Sequence, residues 1–452
     1  MSEAAPHLSI REVPVQLEGT LTDLLPHLDP SGVWLRDDEG LVGLGVAAAR
    51  TARGTRRFAE LSDYWETISA AWDTSQRRVT DPRTDTDTAA PENGTAPALS
   101  GPVAFVSVTF AADSQYASRL IVPQVLLRSE DGNTRLVHIT AADTSPQELD
   151  RTLQTHGVRL DDAGRLTPQA TSDAQLPAAH VHPGQRSARH YRQAVTAGLS
   201  AIAEGTVEKL VLARDVVVTA EHPIPTGALL ARLARAYPQT WTYLAGEVLG
   251  ATPEMLVQLR GARLFSRVLA GTVDHTADIA TLLRDAKQHR EHDLAVESLA
   301  RQLAPVTESL HTPLDPQVLT LPNVYHLATE VTGELAVDDA GRLPGPLQVA
   351  EHAHPTAAVC GTPTDRAGQL LALLEGMDRG PYAGPVGWMD AKGNADFGIA
   401  LRGGMLSADA RQLRLCAGCG IVAGSEPESE LAETRAKLRP MLSALGLQGQ
   451  GE

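Results

Sequence analysis

Cysteine is scarce in this chain of 452 residues: Cys360, Cys416 and Cys419 are all it has. Three thiols cannot build a complete disulfide framework. Cys416 and Cys419 have C-x2-C spacing, but no second pair supplies the further ligands that a zinc site needs. They lie in the strand-like run LRLCAGCGIV and are expected to be small buried hydrophobes. Long apolar runs are missing as well. No stretch of about 18 apolar residues exists, which excludes a membrane-spanning helix. The opening MSEAAPHLSIREVPVQLEG lacks a basic region followed by an apolar stretch, so no secretory signal is expected and the chain is assigned to the cytoplasm. Positive charge is in deficit, 39 Lys and Arg against 55 Asp and Glu, a net charge of −16. That favours solubility and disfavours a polyanion such as nucleic acid as partner.

What is present is ordinary globular composition, with 42% hydrophobic residues. The length suggests two lobes or one large α/β domain. Residues 1–185 form a β-rich N-terminal half. Its GVWLRDDEGLVGLG reads as a hairpin, 60–72 as a helix, and 103–110 and 119–128 as strands. Within it, 74–101 is rich in Asp, Thr and Pro and is expected to be a disordered insertion. A linker-like stretch at 164–188 precedes the second half, 186–448, and no internal repeat is present.

The second half carries polar residues inside apolar or glycine-rich frames, which a solvated surface does not need. A helix is expected over 191–204, then a strand through VEKLVLARDVVVTA. Two-residue periodicity puts Lys209, Val211 and Ala213 on one face, where the plain reading of Lys209 is a snorkelling edge residue. Glu254, after Pro253, reads locally as an acid in a first helical turn. LAGT at 269–272 lets backbone N–H groups approach a ligand. A long helix over 280–303 carries Lys287, Glu291 and His292. His326 lies in a strand-like segment and alone reads as a core histidine. Arg402 ends the apolar FGIALR and requires a carboxylate partner. Gly418 and Gly420 offer backbone donors to an anion at a strand–turn position. In the last helix Ser425-Glu426-Pro427-Glu428 reads as a capping box, Leu431, Leu438, Leu442 and Leu445 as the apolar stripe, and Gly446 as the stop. Glu430, Glu433 and Lys437 share one face. Two carboxylates a turn apart require a nearby cation, either Lys437 or a hard divalent ion such as Mg2+.

The blocks EKLVLARD, TPEML, LAGT, KQHREH, VYHLATEVTGEL, HPTAAVCGTP, RGPYAGPVGW, IALRGGML, AGCGIV and ESELAETRAKL follow one another across about residues 190–445. In these blocks and their order the chain resembles the chorismate-utilising enzymes, the isochorismate synthases above all. The resemblance implies a large α/β (α+β) fold with antiparallel sheets layered against helices and a site in a central cleft. It implies chorismate as substrate, Mg2+ as cofactor, and formation of isochorismate by addition of water at ring C2 with loss of the C4 hydroxyl. Lys209 matches the general base, Glu254 the general acid, and His326 a histidine near the departing hydroxyl. Glu291 and Glu433 match metal-binding carboxylates, with Glu430 close by. Tyr382, Arg402, Gly418 and Gly420 match the enolpyruvyl carboxylate pocket, and Gly271, Thr272 and Lys437 further substrate contacts.

Three positions depart from the family pattern: Gln288 for an acidic residue, Val268 for a proline, and Cys419 for an alanine. Lys209 disfavours the anthranilate synthases, so no glutaminase subunit is expected. Ala270, where aminodeoxychorismate synthases carry a lysine, disfavours those. Salicylate synthases, which go on to eliminate pyruvate, are the alternative within the family. A non-catalytic chorismate binder is a second alternative, and a metal hydrolase lacks its motifs here. A monomer or homodimer is expected, with the product feeding menaquinone or siderophore synthesis.

Overall fold

The computed structural model describes residues 8–72, 78–79, 101–141, 146–169, 175–274, 279–320 and 324–447. The expected insertion at 74–101 lies outside them, except for Gly101 and a two-residue strand, Arg78–Val79.

The fold is built on two large sheets. One runs through the strands Ala179–Pro183, Lys209–Ala220, Gln412–Ile421, Gly403–Leu406, Val248–Thr252, Trp241–Ala245, Pro30–Arg36 and Glu39–Leu44, and on to Leu8–Pro14. The other runs from Thr307–His311 through Val324–Leu335, Arg263–Asp274, Met255–Arg260, Ala395–Ile399 and Pro385–Asp390 to Val103–Ser107, Ser118–Val122 and Ala48–Ala52. Strands from both sides of residue 185 pair in each sheet: Tyr243 opposes Trp34, and Trp388 opposes Phe105. The expected hairpin is present as Pro30–Arg36 and Glu39–Leu44. The expected strand 119–128 is divided. Ser118–Val122 joins one sheet and Val125–Glu130 the other, with the crossing at Pro123, which has no N–H to give a ladder.

A shared core lies between the sheets and contains Trp34, Phe105, Met255, Val386 and Phe397. Phe105 packs closely over two glycines. A Cβ on Gly32 would lie 2.2 Å from its ring, and one on Gly43 2.7 Å. Helices Thr226–Ala236 and Pro427–Ala444 cover the outer face of the first sheet through Leu229, Leu230, Leu438 and Met441. Helices Ala188–Ala203 and Thr364–Glu375 pack on Leu210 and Leu212. Alternation therefore turns Lys209, Val211 and Ala213 the other way, toward the space between the sheets.

Three local expectations change. The helix expected over 280–303 is two, Ile279–Arg284 and Ala286–Leu303, because Asp285 breaks the run and accepts the N–H of Gln288 at 3.3 Å as a cap. Ser425 does not cap the last helix. It closes a turn with Val422, whose N–H it accepts at 3.3 Å, and the helix starts at Pro427 with no side-chain cap. Glu254 is not in a helix but joins the strands Val248–Thr252 and Met255–Arg260.

Phe105→Ala should cost about 3–5 kcal/mol of stability, because the ring fills the space above two glycines. Urea unfolding of both proteins checks this, and a loss below about 1 kcal/mol would contradict a shared core at this point.

Candidate active site

The strand that begins at Lys209 is flanked by Gly361–Thr362 on one edge and by Gln412–Ile421 on the other. Lys209 is wholly buried, which rules out the snorkelling reading. Its Nζ lies 3.2 Å from Glu291 Oε1 and donates to the Glu291 carbonyl at 3.3 Å. Gly420 makes the room. A Cβ there would lie 2.0 Å from Glu291 Oε1 and 3.1 Å from Lys209 Cε.

A cavity in front of this pair is lined by Glu254, Gly271, Glu291, His326, Arg379, Tyr382, Arg402, Gly418, Gly420 and Lys437. Glu254 is buried, and burial pushes its carboxyl up to about 8 against the opposing pull of Lys209, Lys437, the Leu269 N–H and Arg402. It therefore holds its proton at neutral pH. His326 Nε2 lies 3.1 Å from Arg402 Nη2, and since the guanidinium only donates, Nε2 accepts. The ring also bonds the Gly271 backbone. Burial and the neighbouring cations hold this histidine well below its usual pKa, so it is neutral. Arg402 itself has φ +51°, an unusual conformation for a branched-off long side chain, and it is kept cationic though burial lowers its pKa.

Lys437 pairs with Glu433 at 2.6 Å and donates to the Gly418 carbonyl at 2.9 Å. Gly418 and Gly420 lie within a strand, not at a turn as expected. They oppose Ala213 and Val211. Those two residues give their N–H groups to Glu375 and to the Cys360 carbonyl, on the far edge. By the antiparallel pattern, the N–H groups of both glycines then point away from the lysine strand. The strand Gly403–Leu406 on that side pairs only with residues 413–415, so those donors face the cavity region. Tyr382 closes the same side, its hydroxyl 3.2 Å from where a Gly418 Cβ would stand. Thr272 opposes His326 in the sheet, but the contact expected from its side chain lies outside the described residues.

The expected metal carboxylates divide. Glu430 and Glu433 converge with Cys419, one ligand atom of each lying within 4.8 Å of the others, whereas Glu291 stays with Lys209. Glu430, buried, and Glu433, half-buried, bring hard oxygen donors together there. Cys416 and Cys419, three apart on one strand, face opposite ways, which excludes a shared zinc. Both are buried, as expected.

The residue-level reading missed Arg379 and named His292 without giving it a role. Arg379 is buried, pairs with buried Glu375, and donates to the carbonyls of Val211 and Val359. His292 bonds the Ala270 carbonyl at 3.2 Å and Thr329 Oγ1 at 2.7 Å, and burial lowers it to about 4. Arg379 opens the frame RGPYAGP, and that was its one sequence signal. Glu375→Gln would leave the guanidinium buried without its carboxylate, an expected loss of about 3–5 kcal/mol by chemical denaturation. An unchanged midpoint would show that the carbonyls alone hold Arg379.

The model of the family described as chorismate binding enzyme matches residues 33–446. Isochorismate synthase DhbC of Bacillus subtilis is 38% identical over 275 residues, 57% of this chain and 68% of that protein. The vibriobactin-specific isochorismate synthase of Vibrio cholerae is 32% identical over 354 residues, 76% of this chain and 86% of its own. The solved structure of MenF, the menaquinone-specific isochorismate synthase of Escherichia coli, shares the fold with a TM-score of 0.70, 24% identity, and coverage of 98% of this chain and 96% of that one. The chain thus belongs to the chorismate-binding enzyme family, whose isochorismate synthases are the relatives it resembles here.

Proposed function

We propose that this chain converts chorismate to isochorismate, adding water at ring C2 and expelling the C4 hydroxyl. The observation that carries the reading is a wholly buried lysine, Lys209, 3.2 Å from Glu291, which lines one cavity together with the buried carboxyl of Glu254. Lys209 is the base. The resting lysine is an ammonium paired with Glu291, so it acts only after giving that proton to solvent before chorismate binds. The neutral Nζ then takes a proton from the attacking water as the new C–O bond forms at C2. The two conjugated ring double bonds each shift by one position, C1=C2 to C1=C6 and C5=C6 to C4=C5, and the C4–O bond breaks. Glu254 gives its proton to that departing oxygen, so water leaves and not hydroxide. His326, neutral and fixed by Arg402 and Gly271, orients beside the departing group. Arg402, with Tyr382 and the N–H groups of Gly418 and Gly420, receives the enolpyruvyl carboxylate. Mg2+, held by Glu430, Glu433 and Glu291, would supply positive charge for the ring carboxylate.

Lys209→Ala should lower kcat by about a hundredfold or more while chorismate still binds, as measured by turnover and calorimetry. Turnover near the wild-type rate would remove Lys209 from the reaction. The acid's proton is lost as pH rises, so kcat is expected to fall through about pH 8. A profile flat well beyond that pH would contradict the role of Glu254.

A further inference from the structure

Gly271 is the extra residue of a β-bulge in the strand Arg263–Asp274. Ala270 opposes Leu327 and Thr272 opposes His326, with no partner position between them. Its φ of +78° suits glycine, and a Cβ there would lie 3.1 Å from the Gln288 carbonyl of the helix Ala286–Leu303. Two imidazoles hold this bulge, one from the neighbouring strand and one from that helix. His326 Nε2 accepts from Arg402, so Nδ1 carries the ring hydrogen and donates to the Gly271 carbonyl. His292 takes the preceding carbonyl, Ala270, its Nδ1 donating at 3.2 Å. Its Nε2 lies 2.7 Å from Oγ1 of buried Thr329. Ala270, Gly271 and His326 line the cavity, and His292, 1% exposed, stands behind that wall.

We propose that His292 is a positioning residue for the reaction: by fixing the Ala270 carbonyl it fixes the Gly271 bulge, and the bulge fixes the tautomer and aim of His326. Glycine at a bulge has wide backbone freedom, so without His292 the peptides on either side of Gly271 can turn. His326 then loses its acceptor for Nδ1–H. The other tautomer would present an N–H to Arg402, whose guanidinium also only donates, and the two groups would part. The imidazole that faces the substrate is thus set by a second one that does not. This rests on the reading above that His326 stands beside the departing hydroxyl.

The test uses the full chain labelled with 15N-histidine. Two-bond 1H–15N correlation reads the tautomer of each imidazole, with the His326 signals assigned by their loss in His326→Gln. Wild type should show His326 with its hydrogen on Nδ1. In His292→Ala that tautomer should become a mixture, and kcat should fall about tenfold or more with KM within about twofold. His292→Asn, whose amide can still donate to the Ala270 carbonyl, should restore both in part. Thr329→Val, which releases Nε2 alone, is a milder second variant should His292→Ala not fold, and it should move both readouts the same way. A lower unfolding midpoint with the His326 tautomer and kcat unchanged would make His292 merely structural and overturn the proposal. Failure of the underlying reading is a separate result: His326→Gln turning over at the wild-type rate would remove the kinetic half of the proposal, while the tautomer shift would still decide the structural half.

Discussion

Burying an ammonium group from all solvent costs several kcal/mol unless a carboxylate answers it, and the centre of this protein is arranged around that cost at Lys209. Glu291 answers it from the helix Ala286–Leu303. The pair fits only because Gly420 offers no side chain where the carboxylate lies. Strand phase puts the lysine there: Leu210 and Leu212 must face the helices, so Lys209 must face inward. The apolar pattern of a single strand thus forces a charge into the core, and the neighbouring strand and helix supply its compensation.

The same logic sets the protonation of the other groups. Three cations, Lys209, Arg402 and Lys437, act on Glu254, yet desolvation outweighs them and the carboxyl stays neutral near pH 7. His326 lies beside Arg402 and stays neutral for the converse reason, since burial and like charge both oppose a further cation. One cavity therefore presents a proton donor, a neutral imidazole and fixed positive charge, a combination suited to an anionic substrate that must lose a hydroxyl. Behind it, Arg379 and Glu375 tie the lysine strand to the segment around Val359 through the Val211 carbonyl and the Ala213 N–H.

Much of this was legible in residue order. Alternation in KLVLARDVVV put Lys209 on one face with Val211 and Ala213, though it did not show that this face is buried, and the leucine stripe of the last helix gave its buried side. Glu433 and Lys437, one turn apart, pair as their spacing suggested. Other features depend on the path of the chain. His326 and Arg402 meet across 76 residues, and no local pattern encodes that. Arg379 and Glu375 are four apart on what spacing alone would make a surface pair, and only tertiary burial turns them into an interior clasp. Glu254 looked like a helix-start acid because Pro precedes it, but strand pairing on both sides overrode that local preference. The C-x2-C spacing suggested a joint role, whereas strand geometry parts the two thiols, Cys419 toward Glu430 and Glu433 and Cys416 toward Asp215 and Glu375.

The most direct test is product analysis of the purified protein with chorismate and Mg2+, with and without ammonium. The account predicts isochorismate alone, unchanged by ammonium. Salicylate with pyruvate, an aminated product, or bound chorismate without any product would contradict it.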